Sequence, residues 1–156
     1  MTIWVDADAC PGEIKEIVFR ASERLQVPVR LVANGSMRVP ASPLVELVLV
    51  KHGFNVADGH IVEQVEAGDV VITADVPLAA QIVERGAVGI DPRGHLYTED
   101  TVGEQLASRN LMQDLRAREV VRGGPAPITA VHRRRFASAL DRILTKRKHD
   151  KGGTAT

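Results

Sequence analysis

Apolar residues recur along the chain at two spacings, and each spacing predicts one kind of secondary-structure element. Short β-branched runs bounded by turn residues predict strands, whereas apolar positions three and four residues apart predict helices. The predicted strands lie at 2–5, 27–33, 69–73 and 87–90, with a small edge ribbon at 93–97. The predicted helices begin at Pro11, Asp58 and Val76, span 101–118, and finish with a helix around Phe136, Leu140, Ile143 and Leu144. This alternation predicts a single α/β domain with a mostly parallel central sheet between helical layers.

Three other segments bear on the extent of the domain. The stretch PLVELVLV at 43–50 fits a helix or a strand, and its valines favour a strand closed by Gly53. RGGPAP at 122–127 predicts a flexible break before the last helix. The domain is expected to occupy residues 1–148, with a disordered tail at 149–156. The helix at 101–118 carries a predicted buried stripe of Val102, Leu106, Leu111 and Leu115.

The composition is that of an ordinary soluble domain. Of the 156 residues, 44% are hydrophobic and 26% charged, and no apolar run approaches the ~20 residues that cross a bilayer. We therefore expect a cytoplasmic protein without a membrane partner. Cys10 is the one cysteine, which excludes a disulfide framework and a cysteine zinc site. It is either a small residue in a tight turn or a thiol whose pKa is lowered by the start of a helix.

Polar side chains follow the predicted strands at the points where the strands end. Two aspartates, separated by one residue, come directly after a predicted buried strand in the stretch IWVDADACP at 3–11. Because the carboxyl ends of parallel strands share one edge of a sheet, residues in these positions are expected to lie close together. Asp69 precedes its strand and is expected at the opposite edge. The residues predicted to share the carboxyl edge are Asp6, Asp8, Asn34, Ser36, Asp58 and Asp75.

Clustered carboxylates repel one another unless a proton or a cation relieves the repulsion. Mg²⁺ is typically held by one or two carboxylates together with waters and substrate phosphate. The pattern therefore predicts one or two Mg²⁺ or Mn²⁺ ions bound by Asp6, Asp8, Asp58 and Asp75. Each aspartate also has an ordinary interpretation as a helix cap or turn residue. Asn34 and Ser36 would orient substrate or water, or simply form a turn.

The net charge of zero conceals an asymmetry along the chain. Residues 1–100 hold 15 acidic and 8 basic side chains, whereas residues 101–156 hold 5 and 12. Arg133, Arg134 and Arg135 are the candidates for contact with a nucleic-acid backbone, with a solvated helix face as the alternative. His132 is a possible proton donor or an exposed histidine. Because only 3% of residues are aromatic, nucleic-acid binding is expected to be mainly electrostatic.

Two known families share a strand that ends in Asp-x-Asp. The haloacid dehalogenase-like phosphatases use such a pair and place a threonine after a later strand, which Thr73 matches. They also need a lysine after that threonine, followed by an acidic pair. No lysine occurs here between Lys51 and Lys146, and Asp75 comes too early for the acidic pair. This phosphatase resemblance is weak.

The second resemblance extends from residue 3 to about 145. VDADACP at 5–11, GFNVADGHIVE at 53–63, GDVVITADVPLA at 68–79 and GGPAPIT with RRFASALDRIL at 123–144 resemble the YaiI/YqxD family of uncharacterised bacterial proteins. The resemblance implies a PIN-like domain, whose active members are metal-dependent ribonucleases. It implies that Asp6 and Asp75 are PIN-type acids, while Asp8 and Asp58 belong to the family's own motifs. In the family that this sequence resembles, an acidic residue is more usual at the position that His132 occupies here.

The hypothesis from the sequence is a divalent-metal-dependent nuclease that hydrolyses RNA phosphodiesters. Asp6, Asp8 and Asp75 are its predicted catalytic residues, and RNA is its predicted partner. The alternative is a PIN-like binding or adaptor module that retains the acids without cutting nucleic acid.

Overall fold

Six strands, five α-helices and one short 3₁₀ helix at Ala7–Ala9 make up the regular structure of the residues described. The computed structural model describes residues 1–53, 56–107 and 127–154, with side chains in the last helix described as far as residue 146. The strands are β1 Ile3–Asp6, β2 Val29–Ala33, β3 Val45–Leu49, β4 Val70–Ile72, β5 Val88–Ile90 and β6 Leu96–Tyr97. The helices are α1 Gly12–Leu25, α2 Val56–Gln64, α3 Val76–Glu84, α4 at 99–107 within the described residues, and α5 Ala130–Thr154.

The strands form one sheet in the order β3-β2-β1-β4-β5-β6. Strands β1 to β5 are parallel, and β6 pairs antiparallel with β5. The register aligns Ile3 of β1 with Val29 of β2 on one side and with Val70 of β4 on the other. From β1 the chain builds the sheet in one direction through β2 and β3, then returns to place β4 on the other side of β1. The carboxyl ends of β1 and β4 therefore mark a topological switch point, where open α/β sheets bind ligands.

Helices cover both faces of the sheet, which confirms the predicted three-layer α/β architecture. Alternate residues of β1 point to opposite faces, so Ile3 and Val5 lie in one core cluster and Trp4 in the other. The first cluster packs α1 and α5 on the sheet, with Ile14, Val18, Phe136, Leu140 and Leu144 buried. The second packs α2 and α3 on the opposite face, with Ile61, Leu78 and Ile82 buried.

The structure resolves the ambiguity at 43–50 in favour of a strand. Residues Val45–Leu49 pair with β2 as the edge strand of the sheet, as their valines favoured. The predicted start of α2 is displaced, because the helix begins at Val56 and Asp58 lies in its first turn instead of capping it. The small ribbon predicted at 93–97 is present as β6, which is only two residues long.

Several predictions concern residues that the structure does not describe. Leu111 and Leu115 of the predicted stripe, and most of the break at 122–127, lie outside the described residues. Val102 of the same stripe is buried against Tyr97 and Ala79. Helix α5 is assigned as far as Thr154, and the domain boundary at 148 with its disordered tail stays a prediction. No helix in the described part of the chain is long and apolar enough to cross a membrane.

Candidate functional site

The end of β1 and the segment after β4 are joined through one threonine hydroxyl. Thr73 Oγ1 donates to Asp6 Oδ2 at 3.0 Å and accepts from the Asp75 backbone amide at 2.9 Å. Asp6 is 9% exposed and Thr73 only 2%. Tyr97 fixes the same segment from the other side, since its hydroxyl donates to the Thr73 carbonyl at 3.1 Å. Asp6 and Asp75 therefore lie at one edge of the sheet, as their positions at the ends of parallel strands predicted.

Asp75 caps the start of α3 and lies beside a carboxylate from α2. As the N-cap of α3, Asp75 accepts through Oδ1 from the Leu78 amide at 2.9 Å. The side chain of Asp58 lies close enough to Asp75 for the two carboxyl groups to interact. Partial burial, and then the negative charges of Asp75 and Asp6, raise the pKa of Asp58 from its ordinary 3.8 to about 6. Asp58 therefore binds a proton readily when no cation is near.

Neighbouring negative charges also affect the pKa of Asp6, which is more buried than Asp58. Burial raises the pKa of Asp6, the Thr73 hydrogen bond opposes that rise, and the charges of Asp75 and Asp8 add to it. Asp8 itself is exposed and accepts through Oδ2 from the Asn34 backbone amide at 2.9 Å. The structure thus brings Asp6, Asp58 and Asp75 together and leaves Asp8 at the border of the group.

Two other predicted residues follow β2 at this edge. The backbone of Asn34 is tied to Asp8, as just described, and Ser36 is exposed. Their predicted role in orienting substrate or water stays a prediction.

Asp69 lies at the opposite edge of the sheet, as its position before β4 predicted. Its carboxylate is 5% exposed and accepts from the Thr2 amide at 2.9 Å, the Trp4 indole at 3.1 Å and the Glu66 amide at 2.9 Å. These bonds hold the start of β1 to the start of β4. Asp69 is thus a structural residue.

The first turn of α5 reaches the carboxyl-edge loops. Arg133 Nη1 donates to Glu13 Oε2 of α1 at 2.9 Å, and Arg135 Nη1 lies 3.0 Å from the His95 Nε2. Arg134 is exposed and makes no hydrogen bond or ion pair with the described residues. The basic cluster therefore lies at the predicted edge, although two of its three arginines already have protein partners.

His132 has a local structural partner. Its Nδ1 accepts from the Thr129 amide at 3.0 Å, and its own amide donates to Thr129 Oγ1 at 3.3 Å. This reciprocal pair stabilises the start of α5.

Cys10 is buried and does not carry an activated thiol. Burial raises the pKa of Cys10 to about 12, and nearby Lys15 only partly opposes the effect. The possibility of a lowered pKa is therefore wrong, because desolvation outweighs the adjacent helix start. Cys10 acts as a small residue between a short turn and α1.

A cavity of about 610 Å³ lies at the carboxyl edge of the sheet, formed by α1, the loop after β5 and the segment before α5. Ala74, between Thr73 and Asp75 in the sequence, forms part of its wall. Its other lining residues are Ala9, Pro11, Gly12, Glu13, Asp91, Pro92, Arg93, Pro127 and Ile128.

The carboxylates fit a hydrated hard cation better than a cation enclosed by protein ligands. Among the residues that the structure describes, no three His, Cys, Asp or Glu side chains converge closely enough to hold a metal ion together. Mg²⁺ needs only one or two carboxylates because it keeps several waters. Asp58 and Asp75 supply such a pair, with Asp6 near both. Binding of Mg²⁺ or Mn²⁺ by the four predicted aspartates stays a prediction.

Sequence reasoning missed three features of this site. The sequence motifs indicated Thr73 only through the phosphatase resemblance. Its position at a strand end, two residues before Asp75, also indicates that it lies near the acids. Tyr97 gave no signal, because its contact with Thr73 depends on the pairing of β5 with β6. The cavity joins segments from four parts of the chain, which no local pattern reveals.

Fold and site together define an α/β protein with an acidic group at the switch point of a mostly parallel sheet. The family model described as "Uncharacterized BCR, YaiI/YqxD family" matches residues 4–146. The chain belongs to this family, as the motifs predicted.

The sequence is similar to bacterial relatives over nearly its whole length. It is 61% identical to a "UPF0178 protein" of Trichlorobacter lovleyi over 94% of this chain and 95% of the relative. A "UPF0178 protein" of Dechloromonas aromatica is 53% identical over 94% of this chain and 97% of the relative. One from Shewanella amazonensis is 51% identical over 94% and 98%. No solved structure matches the chain.

Proposed function

We propose that this protein is a divalent-metal-dependent nuclease that hydrolyses phosphodiester bonds in RNA. The observation that carries the proposal is the link between Asp6 and Asp75 through Thr73 at the switch point of the sheet, with Asp58 beside Asp75. Three carboxylates in mutual electrostatic contact are costly unless protons or a cation neutralise them. A hard divalent cation with oxygen ligands suits this group.

The residues around the carboxylates hold them in defined positions. Thr73 orients Asp6 through one hydrogen bond, and the Leu78 amide fixes Asp75 Oδ1. When bound, Mg²⁺ or Mn²⁺ would activate a water and stabilise negative charge on the phosphate. In the metal-free protein the pKa of Asp58 is about 6, so a bound cation would compete with its proton.

The basic start of α5 supports nucleic acid as the substrate. Arg133, Arg134 and Arg135 lie near the carboxyl edge, and Arg134 is exposed there. Because phosphate contacts carry no sequence information, the proposal predicts strong salt dependence and little sequence preference.

A non-catalytic binding or adaptor module is the second candidate function. One observation favours it: no three metal-ligating side chains converge in the described part of the chain. Under this alternative, RNA or another partner binds without a cation and is not cleaved.

The phosphatase alternative is disfavoured by the surroundings of Thr73. Its hydroxyl already donates to Asp6 and accepts from the Asp75 amide, and its side chain is buried. A phosphate-binding threonine needs a hydroxyl that faces the substrate. The geometry at Thr73 is instead that of a residue that positions the acids.

Cleavage of an RNA panel tests the proposal. Single-stranded, hairpin and duplex RNAs are incubated with Mg²⁺, Mn²⁺ or EDTA, using wild type, Asp6→Asn, Asp75→Asn and Asp141→Asn. Asp75→Asn keeps a residue that caps helices well, and Asp141 pairs with Arg24 away from the site. We expect metal-dependent cleavage by wild type and Asp141→Asn, and none by the other two variants. Cleavage that persists in Asp6→Asn and Asp75→Asn would contradict the proposal, whereas binding without cleavage would favour the adaptor module.

A further inference from the structure

The two outer strands of the sheet differ in how their free edges are protected. At one end, β6 is only two residues long and pairs antiparallel with β5. At the other end, β3 offers five residues, VELVL, in unbroken register with β2, and Glu46 is the single charged residue among them. Free edges in soluble proteins are usually shortened, bulged or interrupted by lysine or proline, because an unprotected edge pairs with another chain. None of these protections lies within Val45–Leu49.

Backbone hydrogen bonds show which groups of β3 point outward. Leu44 and Val50 flank the strand and both bond to β2, through the Leu44 carbonyl at 2.8 Å and the Val50 amide at 2.9 Å. Since alternate residues of a strand direct their N–H and C=O groups to the same side, the even-numbered positions face β2 and the odd-numbered positions face away. Leu47 and Leu49 therefore direct two amides and two carbonyls to the outer edge. In the described part of the chain, no hydrogen bond satisfies any of these four groups.

The side chains along this edge are apolar and incompletely covered. Leu49 is 58% exposed, and Val45, Leu47 and Val48 are half-buried. Val45 and Leu47 border the core that α1 and α5 form on one face of the sheet, whereas Val48 borders the core on the opposite face. A strand added beside β3 would therefore extend the apolar core on both faces.

We propose that the outer edge of β3 pairs antiparallel with β3 of a second copy of this chain, about a two-fold axis perpendicular to the sheet at Val48. A second copy fits because this register pairs Leu47 of each copy with Leu49 of the other. Four hydrogen bonds then satisfy all four outward groups of both copies. The Val45 amide limits the ladder, since it already donates to the Ser42 carbonyl at 3.2 Å.

Side-chain contacts and charges favour the same register. On one face Leu49 of each copy packs beside Leu47 of the other, and on the opposite face the two Val48 side chains meet at the axis. A shift that places the axis at Leu47 would bring the two Glu46 carboxylates diagonally together, which is unfavourable. With the axis at Val48, Glu46 lies diagonally across from the exposed His52 of the second copy, which can donate a hydrogen bond to it.

The contact leaves the acidic site of each copy open. Strands β2 and β1 lie between β3 and β4, so the second copy is separated from the carboxylates. Because the two β3 strands run antiparallel, the carboxyl edges of the two sheets face in opposite directions. The inference therefore stands independently of the proposed nuclease function.

Sedimentation equilibrium of wild type, Leu49→Lys and Leu96→Lys tests the dimer. Leu49 on β3 and Leu96 on β6 are 58% and 44% exposed, so the same change is made at exposed leucines on opposite edges of one sheet. We expect wild type and Leu96→Lys to dimerise with a micromolar dissociation constant, as for a small interface. Leu49→Lys should weaken dimerisation by at least about tenfold, because lysine opposes edge pairing. A monomeric wild type at about 1 mM, or equal dimerisation by wild type and Leu49→Lys, would overturn the proposal.

Disulfide trapping in the full chain tests the register separately. Leu47, Val48 and Leu49 are replaced by cysteine one at a time and oxidised with glutathione disulfide, with wild type as the control because Cys10 is buried. Val48→Cys should form a covalent dimer fastest, since the paired Cα atoms at the axis lie about 4.5 Å apart, within the span of a disulfide. Faster trapping of Leu47→Cys or Leu49→Cys, or of none of the three, would overturn the pairing about Val48.

Discussion

Replacing Asp58 by asparagine is expected to stabilise the metal-free protein at neutral pH. Asp58 lies beside Asp75 and near Asp6, and these neighbours with partial burial raise its pKa from 3.8 to about 6. A carboxyl group with a raised pKa in the folded state favours folding when protonated. Its contribution is fully present below about pH 4 and is lost as the pH rises through about 6. An asparagine amide carries no charge and can donate to Asp75.

The size of this stabilisation follows from the pKa shift of Asp58 and from the exposure of its side chain to water. The full shift corresponds to about 3 kcal/mol at about 1.4 kcal/mol per pKa unit. Because Asp58 is only half-buried, water screens much of the repulsion, and we expect about 1 kcal/mol. For a domain of this size that gain raises the melting temperature by roughly 2–4 °C.

Urea unfolding in EDTA at about pH 4 and about pH 7 measures this effect. Across that interval the free energy of unfolding should fall more steeply for wild type and Asp141→Asn than for Asp58→Asn. Asp58→Asn should also be the most stable of the three near pH 7. The reasoning is refuted if Asp58→Asn is less stable than wild type near pH 7, or if its pH dependence matches that of the wild type.

Three further predictions concern other parts of the molecule. Asp69→Ala removes the acceptor of three buried or partly buried N–H groups, including the Trp4 indole. The free energy of unfolding, measured in urea, should fall by about 3 kcal/mol. A fall of less than about 1 kcal/mol would contradict the structural role of Asp69. Gly94→Ala places a Cβ within 2.7 Å of the α5 backbone at φ +92° and should cost about 1–3 kcal/mol, whereas Gly103→Ala, with open space, should not destabilise. Equal melting temperatures for these two variants would exclude that packing. Alanine at all of residues 133–135 should flatten the salt dependence of RNA binding by up to about three phosphate contacts, and an unchanged slope would leave the arginines as a solvated face.

Local patterns in the sequence predicted most of the fold. The parallel sheet followed from β-branched runs alternating with amphipathic helices. The positions of Asp6 and Asp75 after their strands, and of Asp69 before its strand, predicted the edge at which each one lies. The strand at 43–50 stayed ambiguous because it is an edge strand with both faces partly exposed. Such a strand lacks the alternation of apolar and polar residues that distinguishes strands from helices. The start of α2 was displaced because an aspartate is favourable both as a cap and in the first turn of a helix.

Contacts between distant segments could not be predicted in the same way. Glu13 and Arg133 are 120 residues apart, and their ion pair depends on how α5 crosses α1. The pKa of Cys10 was open because sequence shows the nearby helix start but not the burial that outweighs it. Thr73 joins the acids only because β1 and β4 are neighbours in the sheet.

Calorimetric titration with Mn²⁺ at neutral pH tests the central claim most directly. Wild type, Asp6→Asn, Asp75→Asn and the control Asp141→Asn are titrated after removal of divalent ions with EDTA. The account predicts saturable binding by wild type and Asp141→Asn, with strongly weakened binding by the two variants at the switch point. Equal binding by all four proteins, or none by the wild type, would contradict the claim that these carboxylates form a cation site.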